Sequence, residues 1–132
     1  MMAGADIKST LLERALPRAE REAFARELVE YQIEELNGLG DRLRYVAEQE
    51  QGPEREQHQA QAHARVTEIV EALRWNADEV VRYVWQWLET PLAEPEDVFA
   101  PALLLRALGA DQARVQRWLD ALPEATRRLA DA

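Results

Sequence analysis

The sequence predicts an all-α protein, on three observations. Ala, Leu, Glu, Arg and Gln dominate its 132 residues, and these are strong helix formers. No stretch alternates apolar and polar residues between hairpin turns, so strand signals are lacking. Apolar residues instead recur at spacings of three and four over long stretches. With 47% hydrophobic and 31% charged residues the chain has enough apolar surface to fold rather than stay disordered. The expected architecture is a long antiparallel helical hairpin over 18–75, followed by a compact bundle of shorter helices over 77–131. Both parts belong to one domain, 1–132.

The elements follow in order. Thr10-Leu-Leu-Glu13 has the form of a capping box and starts a first short helix. Pro17 suits the first turn of a second, which carries Phe24, Leu28, Tyr31, Leu36, Leu39, Leu43 and Val46 as an apolar stripe. Gly38 and Gly40 fall inside this stripe. It crosses them with little change of phase, which predicts one long helix over about 18–50, straight or kinked. Gln51-Gly52-Pro53 marks a tight reversal. Glu54 and Glu56 then occupy a first turn, where the helix dipole favours anions. The next helix reaches Trp75 with the stripe Ala62, Val66, Ile69, Val70 and Leu73. Residues 48–61 hold almost nothing apolar, so the hairpin tip should project into water.

Asn76-Ala-Asp-Glu79 forms a second capping box. The helix it opens, through Glu89, carries Val80, Val81, Val84, Trp85, Trp87 and Leu88 on more than one face. Such a helix is either central in the core or packed on a second subunit, which makes 77–89 a candidate for a homodimer or partner contact. Thr90 to Pro95 is a proline-bounded loop. A helix follows over Glu96 to Leu108, ended by Gly109. Asp111 caps the next, to Leu122, and Pro123 opens a last one through Arg128.

Composition excludes several functions. The chain has no cysteine, so disulfide scaffolds, thiolate zinc sites and cysteine nucleophiles are out. No apolar run is long enough to span a membrane, and Lys8, Glu13 and Arg14 interrupt any signal-peptide core, which predicts a cytoplasmic protein. A net charge of −9 disfavours non-specific contact with nucleic acid or anionic lipid and favours a partner with a basic surface. The charge is uneven: residues 1–97 hold 11 basic and 21 acidic side chains, whereas 98–132 hold 5 arginines and 4 acids. Enzyme signals are weak. His58 and His63 stand five apart on a polar helix, poorly placed to share a metal, and are expected to be solvated. No Glu-x-x-His pair, phosphate loop or nucleophile elbow occurs, so no catalytic residue, metal site or cofactor is predicted.

Three constellations remain. Glu13, Glu20, Glu27, Glu34, Asp41 and Glu48 recur every seventh residue, thickened by Glu30 and Glu35. Seven residues are close to two helical turns, so these carboxylates lie nearly on one side, roughly 10.5 Å apart. The row drifts about 20° per heptad. Arg18, Arg21, Arg26 and Arg42 are interspersed. The row reads either as a negative ridge for a cationic partner or as the solvated back of a hairpin. The tryptophans Trp75, Trp85, Trp87 and Trp118, with Tyr83, form the second group. Trp85 and Trp87 point to different sides of one helix, which marks them as contact candidates.

The third is Leu-Leu-Leu-Arg-Ala-Leu-Gly-Ala-Asp-Gln-Ala-Arg-Val-Gln-Arg-Trp-Leu over 103–119. This stretch resembles the turn and recognition helix of lambda-repressor-like DNA-binding domains. It departs from that pattern at Leu105, where the family has a small residue. The resemblance implies a transcriptional regulator in which Gln112, Arg114, Gln116 and Arg117 face DNA. The favoured expectation is different. It is a non-catalytic adaptor or inhibitor that docks on a basic protein surface through Glu20, Glu27, Glu30, Glu34, Asp41, Glu48, Trp85 and Trp87. By analogy of class alone it is comparable with anti-CRISPR proteins that block nucleic-acid-binding machines.

Overall fold

The computed structural model describes residues 18–131. The capping box at Thr10–Glu13, Pro17, the Glu13 step of the acidic row and the side chains of Arg18, Arg21 and Phe24 lie outside what is described. The described chain is all-α. Helix α1 (Arg18–Gln49) and helix α2 (Gly52–Leu73) form the long hairpin. A 3-10 turn (Arg74–Asn76) leads into α3 (Ala77–Trp87). A second 3-10 turn (Pro95–Val98) leads into α4 (Phe99–Ala107), followed by α5 (Gln112–Asp120) and α6 (Glu124–Arg128).

Helix α1 runs through Gly38 and Gly40 without a break. Its buried seam is Val29, Ile33, Leu36, Leu43 and Val46. This corrects the stripe expected in its first half: Leu28 and Tyr31 are exposed, and the seam lies one residue further round. The reason is register. Continued at helical spacing, Leu28 and Tyr31 lead to Glu35 and Gly38, whereas Val29 and Ile33 lead through Leu36 and Gly40 to Leu43. The seam of α2 is the expected one, with Ala62, Ile69 and Val70 buried and Val66 and Leu73 partly so. At the tip Gln51 is extended and Gly52 takes φ +71°, a conformation open to glycine. His58 is not simply solvated, as had been expected: it is half-buried, its Nδ1 2.6 Å from Glu50 Oε2 across the turn.

The central helix is α4. Phe99, Ala100, Pro101, Ala102, Leu104 and Leu105 are all buried, and α4 touches α1, α3, α5 and the preceding 3-10 turn. Helix α3 buries Val80, Tyr83 and Val84 but leaves Asp78, Glu79, Arg82 and Gln86 outside. It is therefore amphipathic rather than central, because charges recur on one side of it while α4 carries only Arg106. Asn76 makes no side-chain cap; the 3-10 turn feeds α3 directly and takes the place of the expected capping box. Asp111 does cap α5, accepting from the N–H groups of Ala113 at 3.0 Å and Arg114 at 3.4 Å.

Two contacts seat α4 against α1. A Cβ built on Gly40 would lie 2.5 Å from Phe99 Cδ1, so the phenyl ring occupies the space a side chain would need. Phe99 there joins Leu43 and Ala62 between α1 and α2. Three residues earlier, buried Asn37 accepts a hydrogen bond from the Ala100 N–H at 2.8 Å.

The two glycines should therefore respond oppositely to alanine. Gly38 faces open space, so Gly38→Ala should stabilise by about 0.5–1 kcal/mol through helix propensity. Gly40→Ala should cost about 1–3 kcal/mol by overpacking against Phe99. Asn37→Ala, which leaves a buried N–H unpaired, should cost about 1–3 kcal/mol. Urea denaturation followed by far-UV circular dichroism measures all three.

Candidate functional site

The outer face of α1 is built by exclusion. Its seam is used on α2, α3 and α4, and what remains turns to water. Glu20, Glu27, Glu30, Glu34, Asp41 and Glu48 are all exposed. From Glu20 to Glu48 the row covers roughly 42 Å at the helical rise. Among the described residues no ion pair or hydrogen bond engages Glu20, Glu27, Glu30, Glu34 or Glu48. Asp41 is paired, with Arg44 one turn on. Glu35 lies off the row, half-buried, where it accepts from Arg65 Nε at 2.7 Å and ties α1 to α2. Its hydrogen bond, then that of Glu68, holds the Arg65 guanidinium still more firmly protonated than usual.

Two further side chains share this face. Tyr31 is 62% exposed and Tyr45 61%. With the acids they read Glu27, Tyr31, Glu34, Gly38, Asp41, Tyr45 and Glu48, alternating steps of four and three, and every member is exposed. The carboxylate spacing was visible in the sequence. The tyrosines were less plain there, since Tyr31 falls on the expected apolar stripe and Tyr45 on neither pattern. The usable signal was the same four-three spacing, extended from the acids to the residues between them.

The tryptophans separate. Trp85 packs edge-to-face on Trp118, with centroids 6.2 Å apart, and the Arg114 guanidinium lies 4.1 Å from the Trp85 ring centroid. Trp87 is half-buried at the wall of a cleft formed by α1, α3 and the chain that follows α3. Trp75 is exposed on the 3-10 turn after α2.

The α4–turn–α5 segment has Gly109 at φ +82° in its turn and Leu105, Leu108 and Val115 buried beneath it. Of its four candidate DNA-facing side chains, Arg114 covers Trp85, Gln112 Nε2 donates to the Ala110 carbonyl at 2.6 Å, and Gln116 donates to Asp120 at 2.8 Å. Arg117 is exposed on the same helix as Asp120. His63 is exposed and stands apart from His58. Among the described residues no three His, Asp or Glu side chains come together closely enough to hold a metal ion. No described helix is long and apolar enough to cross a membrane.

Comparison with protein-family models, with curated proteins and with solved structures gives no match to this chain. The reading of the site therefore rests on its own chemistry. A row of solvated carboxylates carrying two phenol rings can attract and align cationic groups. The rings add contact area at little entropic cost, since each tyrosine orders only two side-chain torsions.

The Arg114 contact has a measurable consequence. Arg114→Ala should lower stability by about 0.5–1 kcal/mol and shift the tryptophan emission, since Trp85 loses the guanidinium over its ring. The equivalent change at exposed Arg117 should leave the emission unchanged. Steady-state fluorescence and urea titration read both.

Proposed function

We propose that this protein is a non-catalytic docking module whose α1 face binds a basic protein surface, of the kind that holds nucleic acid. The observation that supports this reading is the exposed Glu27–Glu48 row. Among the described residues five of the six acids on the outer face make no ion pair, and Tyr31 and Tyr45 stand among them. A purely solvating face needs charge but has no use for two large exposed rings in the same line. A docking face uses both: charge for steering and orientation, aromatic area for short-range contact. On such a partner the row would act as an adaptor's grip or as an inhibitor that covers the nucleic-acid channel. The DNA-reading alternative draws less support, because three of its four side chains are engaged within the protein and Asp111 and Asp120 flank them.

The test is charge reversal on a folded protein. Glu27→Lys, Glu34→Lys and Glu48→Lys combined should leave the helical spectrum and its melting intact, because all three side chains are exposed. The triple variant should no longer capture the basic partner that the native chain retains. Capture should weaken steeply between low and physiological salt, and nucleic acid that binds the partner should compete. Retained capture by the triple variant would remove the proposal. A gel shift of duplex DNA by the native protein, lost on Arg114→Ala with Arg117→Ala, would replace it with the regulator reading.

A further inference from the structure

The cleft beside Trp87 has its own chemistry. It encloses about 590 Å³ between the first half of α1, the end of α3 and the connection to α4. Its walls carry the carboxylates of Glu30, Glu89 and Asp97 against one guanidinium, Arg26, and the rings of Tyr83 and Trp87. Anions are disfavoured by the excess of carboxylate. A bare metal ion is disfavoured too, since no three of these ligands converge on one point. An organic cation broad enough to reach separated carboxylates while lying on a ring fits both constraints.

A second observation points to a ligand. Tyr83 is only 5% exposed and lines the cleft. Its hydroxyl has no hydrogen-bond partner among the described residues. It is not sealed away either: among the described residues the partnerless polar side-chain atoms cut off from solvent are Gln32 Oε1, Glu35 Oε2 and Arg44 Nη1. Tyr83 lines the cleft, and its hydroxyl, not cut off from solvent, is available to a donor there. The Tyr83 ring already holds two guanidinium groups, Arg26 at 5.8 Å and Arg82 at 5.2 Å from its centroid, so this aromatic wall is compatible with that cation.

We propose that the cleft binds the guanidinium head of an arginine side chain presented by the basic partner. The inference rests on the docking reading and deepens it: Glu30 belongs both to the acidic face and to the cleft wall, so a partner lying along α1 brings its side chains to this opening. The planar cation lies against the Trp87 indole, its N–H groups divide between Glu30 and Glu89, and one N–H meets the Tyr83 hydroxyl.

The experiment uses the intact protein and two small probes, N-acetyl-arginine amide and its uncharged isostere N-acetyl-citrulline amide. Each is titrated at millimolar concentration while the Trp87 indole and the 86–91 backbone amides are followed by NMR. The arginine probe should give saturable shifts there and the citrulline probe should not. Glu30→Gln and Glu89→Gln, both at exposed positions, should each weaken binding about fivefold. Arg26→Ala should tighten it by a similar factor, because a like charge leaves the wall. Glu56→Gln, on the hairpin tip, should change nothing. Absence of saturation, equal shifts with citrulline, or weakening by Glu56→Gln equal to that by Glu30→Gln would each overturn the proposal. The two readings fail separately. If triple reversal on α1 abolishes capture while the arginine probe does not bind, the cleft proposal falls and the docking face stands. If the probe binds but capture survives the reversal, the cleft stands and the α1 face falls.

Discussion

The structure depends on one close contact, the Phe99 ring lying where Gly40 has no side chain. Gly40 falls on the seam of α1, at a position where the spacing calls for a large apolar residue. The missing volume is supplied from elsewhere in the chain. Burying a phenylalanine contributes about 1.5–3 kcal/mol, and here that burial locks three helices at once, because Phe99 sits with Leu43 of α1 and Ala62 of α2. The Asn37 hydrogen bond to Ala100 fixes the same junction in direction as well as distance. A glycine that in isolation weakens a helix thus becomes the notch into which the second half of the protein keys.

That junction decides which side of α1 faces water. With α2, α3 and α4 all held on one side, the opposite side cannot be covered by the protein itself. The acidic row stays solvated for the same reason that the core is dry. Several guanidinium groups are engaged away from the row: Arg65 on Glu35 and Glu68, Arg74 on Glu71, Arg106 on Asp131, Arg114 on Trp85. In the C-terminal third, Arg127 and Arg128 likewise meet Asp120 and Glu124. The negative charge is shared between the hairpin, 18–75, with 13 acids and 8 arginines, and residues 76–97, with 6 acids and one arginine.

Tryptophan placement follows a similar division. Trp85 is occupied by Trp118 and Arg114, whereas Trp87, two residues on, looks into a cleft with carboxylates around it. Two neighbouring indoles on one short helix so serve different ends, one joining α3 to α5 and the other lining a polar recess. The loop after α3, with Pro91 and Ala93 on the cleft wall, holds that recess open beside the acidic face.

The sequence by itself determined the helical class, the hairpin with its reversal at Gln51-Gly52-Pro53, the seam of α2, the Asp111 cap and the heptad of carboxylates. These are set by neighbours three, four or seven residues apart, and such spacings are local physics. It also set the continuity of α1, since the stripe passes both glycines. Only the tertiary structure decided which of two adjacent stripes in the first half of α1 is core. Leu28 and Tyr31 compete there with Val29 and Ile33, and the winner depends on what packs against Gly40 far along the chain. The same long-range packing turned Tyr31 and Tyr45 outward into the acidic row, made α4 rather than α3 the central helix, left Trp75 in water, and gathered Glu30, Tyr83, Trp87, Glu89 and Asp97 around one cleft. Those outcomes join residues some 50 to 70 positions apart, and no local spacing carries that information.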